Sequence, residues 1–171
     1  MFKPYSNNII FFDTEFSSLD LEKGEILSLG LVKLNGEELY LEFDFKGEAD
    51  EWPRNNILPN LNQPKISKTE AIQKIKDFIG NSKPYVVAYV NQFDMAYFYK
   101  FFGLDNFNEK FNWIPIDFAS ILFSQGVNPE LLSSWDQDFL KKLQIDSSKF
   151  KQHNSLDDAK LLREVYLKQI F

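Results

Sequence analysis

Ile9-Ile10-Phe11-Phe12 is the segment that most restricts the fold, because four consecutive apolar residues run directly into Asp13-Thr14-Glu15. A short unbroken apolar run of this kind reads as a strand buried on both faces, as at the centre of a sheet covered by helices. The two-residue period of a strand then puts Asp13 and Glu15 on one side of it. Two like charges at the end of a buried strand repel each other and lose hydration, and a bound cation relieves that conflict. Acid-x-acid spacing also occurs at Asp20/Glu22, Glu42/Asp44, Glu48/Asp50 and Asp136/Asp138, so context rather than spacing singles out the first pair. For this segment alone, a solvated strand end is the plain alternative.

The rest of the chain supplies elements that can surround such a strand. Ile26–Leu34 and Glu37–Phe45 read as strands, and Asn35-Gly36 between them predicts a hairpin with a type I′ turn. In the third strand Leu39, Leu41, Phe43 and Phe45 alternate with Tyr40, Glu42, Asp44 and Lys46, the pattern of a half-buried strand near a sheet edge. Lys46–Pro64 carries three prolines and reads as an irregular connection. Ser67–Gly80 has the apolar face of an amphipathic helix, with Ser67 or Thr69 as its cap. Tyr85–Val90 is a strand, Gln92–Phe102 a helix stopped by Gly103, and Trp113–Ile116 a short strand before a helix from Asp117 to about Phe123. Pro129–Leu143 and Ser155–Gln169 complete the helices. The expected architecture is one α/β domain over residues 1–171, with a mixed five-stranded sheet and helices on both faces. The 7 glycines are too dispersed for G-x-G-x-x-G or a P-loop.

Composition narrows the chemistry. The chain has no cysteine and one histidine, which excludes disulfides, thiolate metal sites, cysteine nucleophiles and multi-histidine cages. A protein-held metal would therefore need oxygen ligands, pointing to Mg²⁺, Mn²⁺ or Ca²⁺. The net charge of −6 argues against tight nonspecific duplex binding, although cations bound at an acidic site would offset it. No apolar run is long enough to span a bilayer, and Met1–Asn8 lacks a signal-peptide pattern, so a soluble cytoplasmic protein without a membrane partner is expected.

Two further segments carry candidate chemistry. Asp94 lies at a strand-to-helix junction, Tyr89-Val90-Asn91-Gln92-Phe93-Asp94, where ligands bind in open α/β sheets. Its bland account is a helix start with Asn91 as cap and Asp94 favouring the dipole. His153-Asn154-Ser155-Leu156-Asp157-Asp158 opens the last helix, and there Ser155 with Asp158 resembles a capping box. His153 is the one ready general base near neutral pH, unless it is merely an exposed loop histidine. Of the adjacent acids, only one can easily face a site. Asp157 is expected to be solvated.

Together these segments resemble the three exonuclease motifs of the DEDD superfamily, in its histidine-containing branch. Asp13-Thr14-Glu15-Phe16 matches the first motif, Asn91-Gln92-Phe93-Asp94 the second, and His153-Asn154-Ser155-Leu156-Asp157-Asp158-Ala159 the third. Asp117 after Pro115-Ile116 resembles the family's Pro-x-Asp strand end. Gly24–Gly30, Asn35-Gly36, Trp52-Pro53-Arg54 and Leu58-Pro59 are similar to the small mycobacterial-type bacterial exoribonucleases. Two departures stand out: Ser155 where the family more often has Ala, and Val90 where many relatives have His.

The resemblance spans nearly the whole chain and implies a ribonuclease H-like fold and 3′–5′ exonuclease activity. It favours single-stranded RNA over DNA and is compatible with a homodimer. It implies two divalent cations, Mg²⁺ or Mn²⁺, held by Asp13, Glu15, Asp94 and Asp158, with His153 as general base. In such a centre Asp13 would bridge both ions, and Asp94 would act on the second through water. Thr14, Phe16 and Asn91 are the substrate-facing candidates. Phe16 could pack on a terminal base or belong to the core. Arg54 could meet phosphate or a second subunit, or be a surface arginine without function, and Trp52 could equally belong to the core. Lys141, Lys142, Lys149 and Lys151 could approach a nucleic-acid backbone or form a solvated helix end. A DNA exonuclease, a non-catalytic nucleic-acid-binding domain of the same fold and a metal-dependent nucleotide phosphohydrolase are the competing expectations.

Overall fold

The computed structural model describes residues 4–170, so the first three residues of Met1–Asn8 and position 171 lie outside the described residues. Strands β1 (Ile9–Phe16), β2 (Ile26–Lys33), β3 (Glu38–Phe43), β4 (Lys65–Ile66), β5 (Tyr85–Ala88) and β6 (Ile116–Asp117) form one sheet in the order β4-β3-β2-β1-β5-β6. β1 is antiparallel to β2 and parallel to β5, which makes the sheet mixed and leaves β1 inside it. The helices are α1 (Glu51–Asn56), α2 (Lys68–Ile79), α3 (Gln92–Phe102), α4 (Leu104–Lys110), α5 (Phe118–Ser124), α6 (Glu130–Ser133), α7 (Gln137–Lys142) and α8 (Ser155–Ile170).

Alternation along β1 divides the core in two. Ile10 and Phe12 pack with α2, α3 and α4, through Ile75, Phe98 and Phe107 among others. Ile9 and Phe11 face the other way, toward Phe118 of α5, Leu140 of α7 and Val165 of α8. The buried central strand and the helices on both faces agree with the sequence. Among the described residues, no helix is long and apolar enough to cross a membrane.

Six strands replace the five expected. The extra one, β4, is a two-residue pairing with β3, held by side chains that local periodicity does not reveal. Glu42 is 1% exposed, although its place in the alternation suggests a solvated face. Its carboxylate accepts from the Tyr40 hydroxyl and from the Asn62 and Gln63 backbone N–H groups, and pairs with Lys65. These bonds fold the proline-rich connection back onto the sheet edge, and α1 forms within it.

The hairpin after β2 exists, but its turn is not type I′. The Gly36 N–H donates to the Lys33 carbonyl and the Lys33 N–H to Glu37, with positive φ at Gly36 and not at Asn35. This is the three-residue loop that ends in a glycine bulge. The strand expected at Trp113–Ile116 is displaced to β6, α4 follows Gly103 directly, and the helix expected over Pro129–Leu143 is broken between α6 and α7 at Trp135.

Candidate metal centre

Asp13 and Glu15 leave β1 on the face that carries Ile9 and Phe11, the face covered by α8. Asp158 comes from the first turn of α8, and its position follows from how that helix starts. The cap is Asn154 rather than Ser155: its side chain accepts the Asp157 N–H at 3.2 Å, while Asp158 Oδ2 accepts the Asn154 N–H at 3.0 Å. Ser155 is fully buried, with its hydroxyl 2.9 Å from that of Ser28 on β2. Gly30, paired with Asp13 in the sheet, lets the helix start lie directly on β2. A Cβ on Gly30 would stand 2.2 Å from the Ser155 carbonyl oxygen.

As a result, one carboxylate oxygen each from Asp13, Glu15 and Asp158 falls within 4.8 Å of the others. Among the described residues, no other group of three or more acidic or histidine side chains converges in this way. Asp94 approaches through the opposite face of β1. It is 7% exposed, and its Oδ1 accepts from the Thr14 N–H at 2.9 Å and the Thr14 hydroxyl at 2.7 Å. The helix-start account of Asp94 therefore gives way to a tertiary one. Asn91 precedes α3 without a side-chain capping bond and does not line the cleft, whereas Asp13, Glu15, Asp94, Asp158 and His153 all do. Asp157 stays outside the cluster, accepting the Lys151 N–H.

Aromatic and apolar side chains complete the cleft. Phe16 lines it with one ring face stacked on Tyr97, centroids 4.7 Å apart, and with Phe93 alongside. Trp52 of α1 is half exposed and meets the His153 ring edge-on at 4.9 Å. Trp135 and Val90 line the same cleft, and both have positive φ, as does His153. Val90 and Trp135 carry no recognisable local signal for this place, since neither is a glycine or asparagine. Arg54 donates to the Ala49 carbonyl and Lys151 to Asn60, while Lys141, Lys142 and Lys149 are exposed. Asp117 ends β6 and caps α5 by accepting the Ser120 N–H at 3.0 Å, away from the cleft.

The electrostatics bear on what the cluster could hold. Burial raises Asp13 well above the ordinary carboxylate range, and Asp94, Asp158 and Glu15 add to the shift. Burial also raises Glu15, reinforced by Asp158 and Asp94. Burial lifts Asp94 to about 6 against the bonds from Thr14, and lifts Asp158 to about 7 against donors at Asn154 and His153. Four carboxyls that resist ionising together, with an all-oxygen donor set, fit a hard divalent cation such as Mg²⁺ or Mn²⁺. Burial lowers His153 below its ordinary 6.5, so its imidazole is neutral at pH 7 and able to accept a proton.

The shifts have a signed consequence for stability. All four carboxyls titrate higher folded than unfolded, so protonation favours the folded state. That contribution is fully present below the ordinary values of 3.8 for aspartate and 4.5 for glutamate. It is lost as pH rises through about 6 for Asp94 and about 7 for Asp158. His153 opposes this trend as one partly exposed group. The thermal midpoint of the metal-free protein is expected to fall between about pH 5 and about pH 8, and Mn²⁺ to raise it more at the higher pH. Scanning calorimetry with EDTA or Mn²⁺ checks this, and an equal Mn²⁺ effect at both pH values would contradict it.

No family model matches the chain, and no curated protein matches it.

Proposed function

We propose that this chain is a divalent-metal-dependent 3′–5′ exonuclease with a ribonuclease H-like fold, acting on single-stranded nucleic acid and preferring RNA. The observation that carries this is the convergence of Asp13, Glu15 and Asp158 within 4.8 Å, in a cleft that also holds Asp94 and a neutral imidazole. The three motif resemblances supply the reaction class, and the mixed sheet with β1 at its centre suits the proposed fold.

Asp13, Glu15 and Asp158 would hold Mg²⁺ or Mn²⁺, with Asp94 serving a second ion. Bound there, the metal supplies positive charge that acidifies water and offsets charge on the reacting phosphate. His153 accepts the proton of the attacking water, and the edge of Trp52 restricts the orientation of its ring. Thr14 fixes Asp94 through two hydrogen bonds and so acts behind the carboxylates. The exposed part of Phe16, with Phe93, offers an apolar wall to a terminal base.

Matched single-stranded RNA and DNA oligomers, labelled at the 5′ end and incubated with Mn²⁺ or Mg²⁺, test the proposal. The expected result is a ladder shortened stepwise from the 3′ end, faster on RNA and stopped reversibly by EDTA. Internal cuts or undegraded oligomers would defeat it. His153→Ala should lower the rate by roughly 10²–10⁴-fold. Calorimetric Mn²⁺ affinity should stay unchanged, and loss of binding would contradict the general-base role.

A further inference from the structure

Glu42 is a buried acid that the proposed chemistry does not use. Among the described residues, Glu42 and Asp94 are the two most deeply buried acids, and Asp94 belongs to the centre. The register of the sheet places Glu15, Ser28, Glu42 and Lys65 in one row from β1 to β4, on the face that carries the carboxylate cluster. Neighbouring strands lie about 4.8 Å apart, so Glu42 stands roughly 10 Å from Glu15. Both of its carboxylate oxygens are saturated. Oε1 accepts the Tyr40 hydroxyl at 2.8 Å and the Asn62 N–H at 3.1 Å, while Oε2 accepts the Gln63 N–H at 3.0 Å and pairs with Lys65. A carboxylate offers about four acceptor sites, and all of them are used. An apolar pair of similar volume would serve stability about as well. What the carboxylate adds is direction, because two consecutive N–H groups held on it fix where the returning chain turns.

The chain held in this way is the excursion over residues 44–64, which leaves β3 and returns as β4. Its ends are stitched together where the Asp44 N–H donates to the Ile66 carbonyl at 3.2 Å. Between them it touches the first and the third motif. The Asp50 N–H donates to the Ser17 carbonyl at 2.8 Å, one residue past Phe16. Asn60 accepts from the Lys151 ammonium at 2.7 Å, two residues before His153. Trp52 of α1 then meets His153, with the ring planes at 85°. Among the described residues no hydrogen bond fixes the His153 imidazole, so this contact is what gives the ring a direction.

We propose that Glu42 is a positioning residue: by gripping the return of the 44–64 excursion it seats Trp52 against the His153 imidazole and so aims the general base. This rests on the exonuclease reading for what the imidazole does, and it adds a determinant that lies outside the three motifs. A supporting group two strands away suffices, because a small misplacement of a reacting group has a large effect on rate.

Proton NMR of the metal-free full chain at about pH 8 reads the arrangement directly, because His153 is the only histidine and its ring resonances are unambiguous. At 4.9 Å the indole ring current should displace them from the positions of a free histidine. Glu42→Gln keeps the size of the side chain but turns one acceptor oxygen into a donor that faces two donors. It should bring the His153 resonances back toward the free positions, as Trp52→Ala does directly. Hydrolysis of the RNA oligomer should slow by about 10–100-fold in Glu42→Gln. On a His153→Ala background the same substitution should change the rate by less than about twofold, since both act through one group. Parent-like resonances in folded Glu42→Gln, or an equal loss of rate on both backgrounds, would overturn the proposal. Should Glu42→Gln fold poorly, Tyr40→Phe removes one of the four donors from a partly exposed position. It should move both readings the same way by a smaller amount, and parent-like resonances there would also overturn the proposal. A parent that shows the displaced resonances yet cleaves no oligomer would defeat the exonuclease reading and leave the seating of His153 by Glu42 and Trp52 supported.

Discussion

Asp13→Asn is expected to eliminate phosphodiester hydrolysis and, at the same time, to make the metal-free protein more heat-stable at about pH 8. Asn is nearly isosteric with Asp, so the packing of β1 against α8 is preserved while the charge is removed. Asp13 carries the broadest electrostatic conflict of the cluster, with burial and three neighbouring carboxyls all opposing its ionisation. At any pH above the ordinary aspartate value of 3.8 that conflict costs stability, because the unfolded chain ionises this carboxyl more readily than the folded one, and neutral Asn abolishes the cost. The same substitution removes a carboxylate from the set whose oxygens lie within 4.8 Å, leaving two charges where three converge. Metal-based stabilisation of the reacting phosphate is worth several kcal/mol, so the rate loss should exceed the roughly 10²–10⁴-fold expected of His153→Ala. The combination is diagnostic: a core aspartate kept for structure would lower the melting midpoint on substitution, whereas one kept for metal should raise it and lose the Mn²⁺-induced increment. Calorimetry with and without Mn²⁺, beside the oligomer digestion, measures all three quantities. A lowered midpoint with activity retained would remove Asp13 from the proposed site.

The parts of this site legible in the sequence are those fixed by strand and helix periods. Ile9–Phe12 announces a buried strand, and the period of two carries Asp13 and Glu15 onto one face. Asp158 is legible only as one acid of a pair at a helix start; local chemistry suggests Ser155 as the cap, whereas the hydroxyl is spent on Ser28 in β2 and Asn154 takes over. Asp94 is ambiguous for the same reason. An aspartate at the third position of a helix satisfies the dipole whether or not it turns inward, and only Thr14, 80 residues away, decides that it does. Trp135 is invisible because its break between α6 and α7 lacks the glycine or proline that marks breaks. Sites draw on contacts between distant segments, so the residues hardest to find are those whose local conformation is imposed by what they touch.

Gly30→Ala tests whether the joint between β2 and α8 assembles the centre. The added Cβ would lie 2.2 Å from the Ser155 carbonyl oxygen and 2.6 Å from the Leu156 Cα, and both are backbone atoms that cannot rotate away. Two responses are open to the fold. The start of α8 can lift, carrying His153 and Asp158 off the sheet, or β2 can withdraw from β1, with which it is paired at Gly30 and Asp13. Either one separates Asp158 from Asp13 and Glu15. Overpacking in a tight core costs about 1–3 kcal/mol and sometimes more. Backbone-to-backbone collision belongs at the upper end, which for a chain of this size lowers the midpoint by roughly 6–12 °C. Mn²⁺ binding and hydrolysis should disappear together even at temperatures where the variant remains folded. Gly126→Ala provides the matched control. That glycine has φ of +75° and open space around the added Cβ, so its substitution strains the backbone without touching the cleft. It should cost about 1–2 kcal/mol and leave Mn²⁺ affinity at the parent value. If Gly30→Ala instead keeps full Mn²⁺ affinity in a destabilised fold, the carboxylates do not depend on the seating of α8, and the centre is held together by something other than this joint.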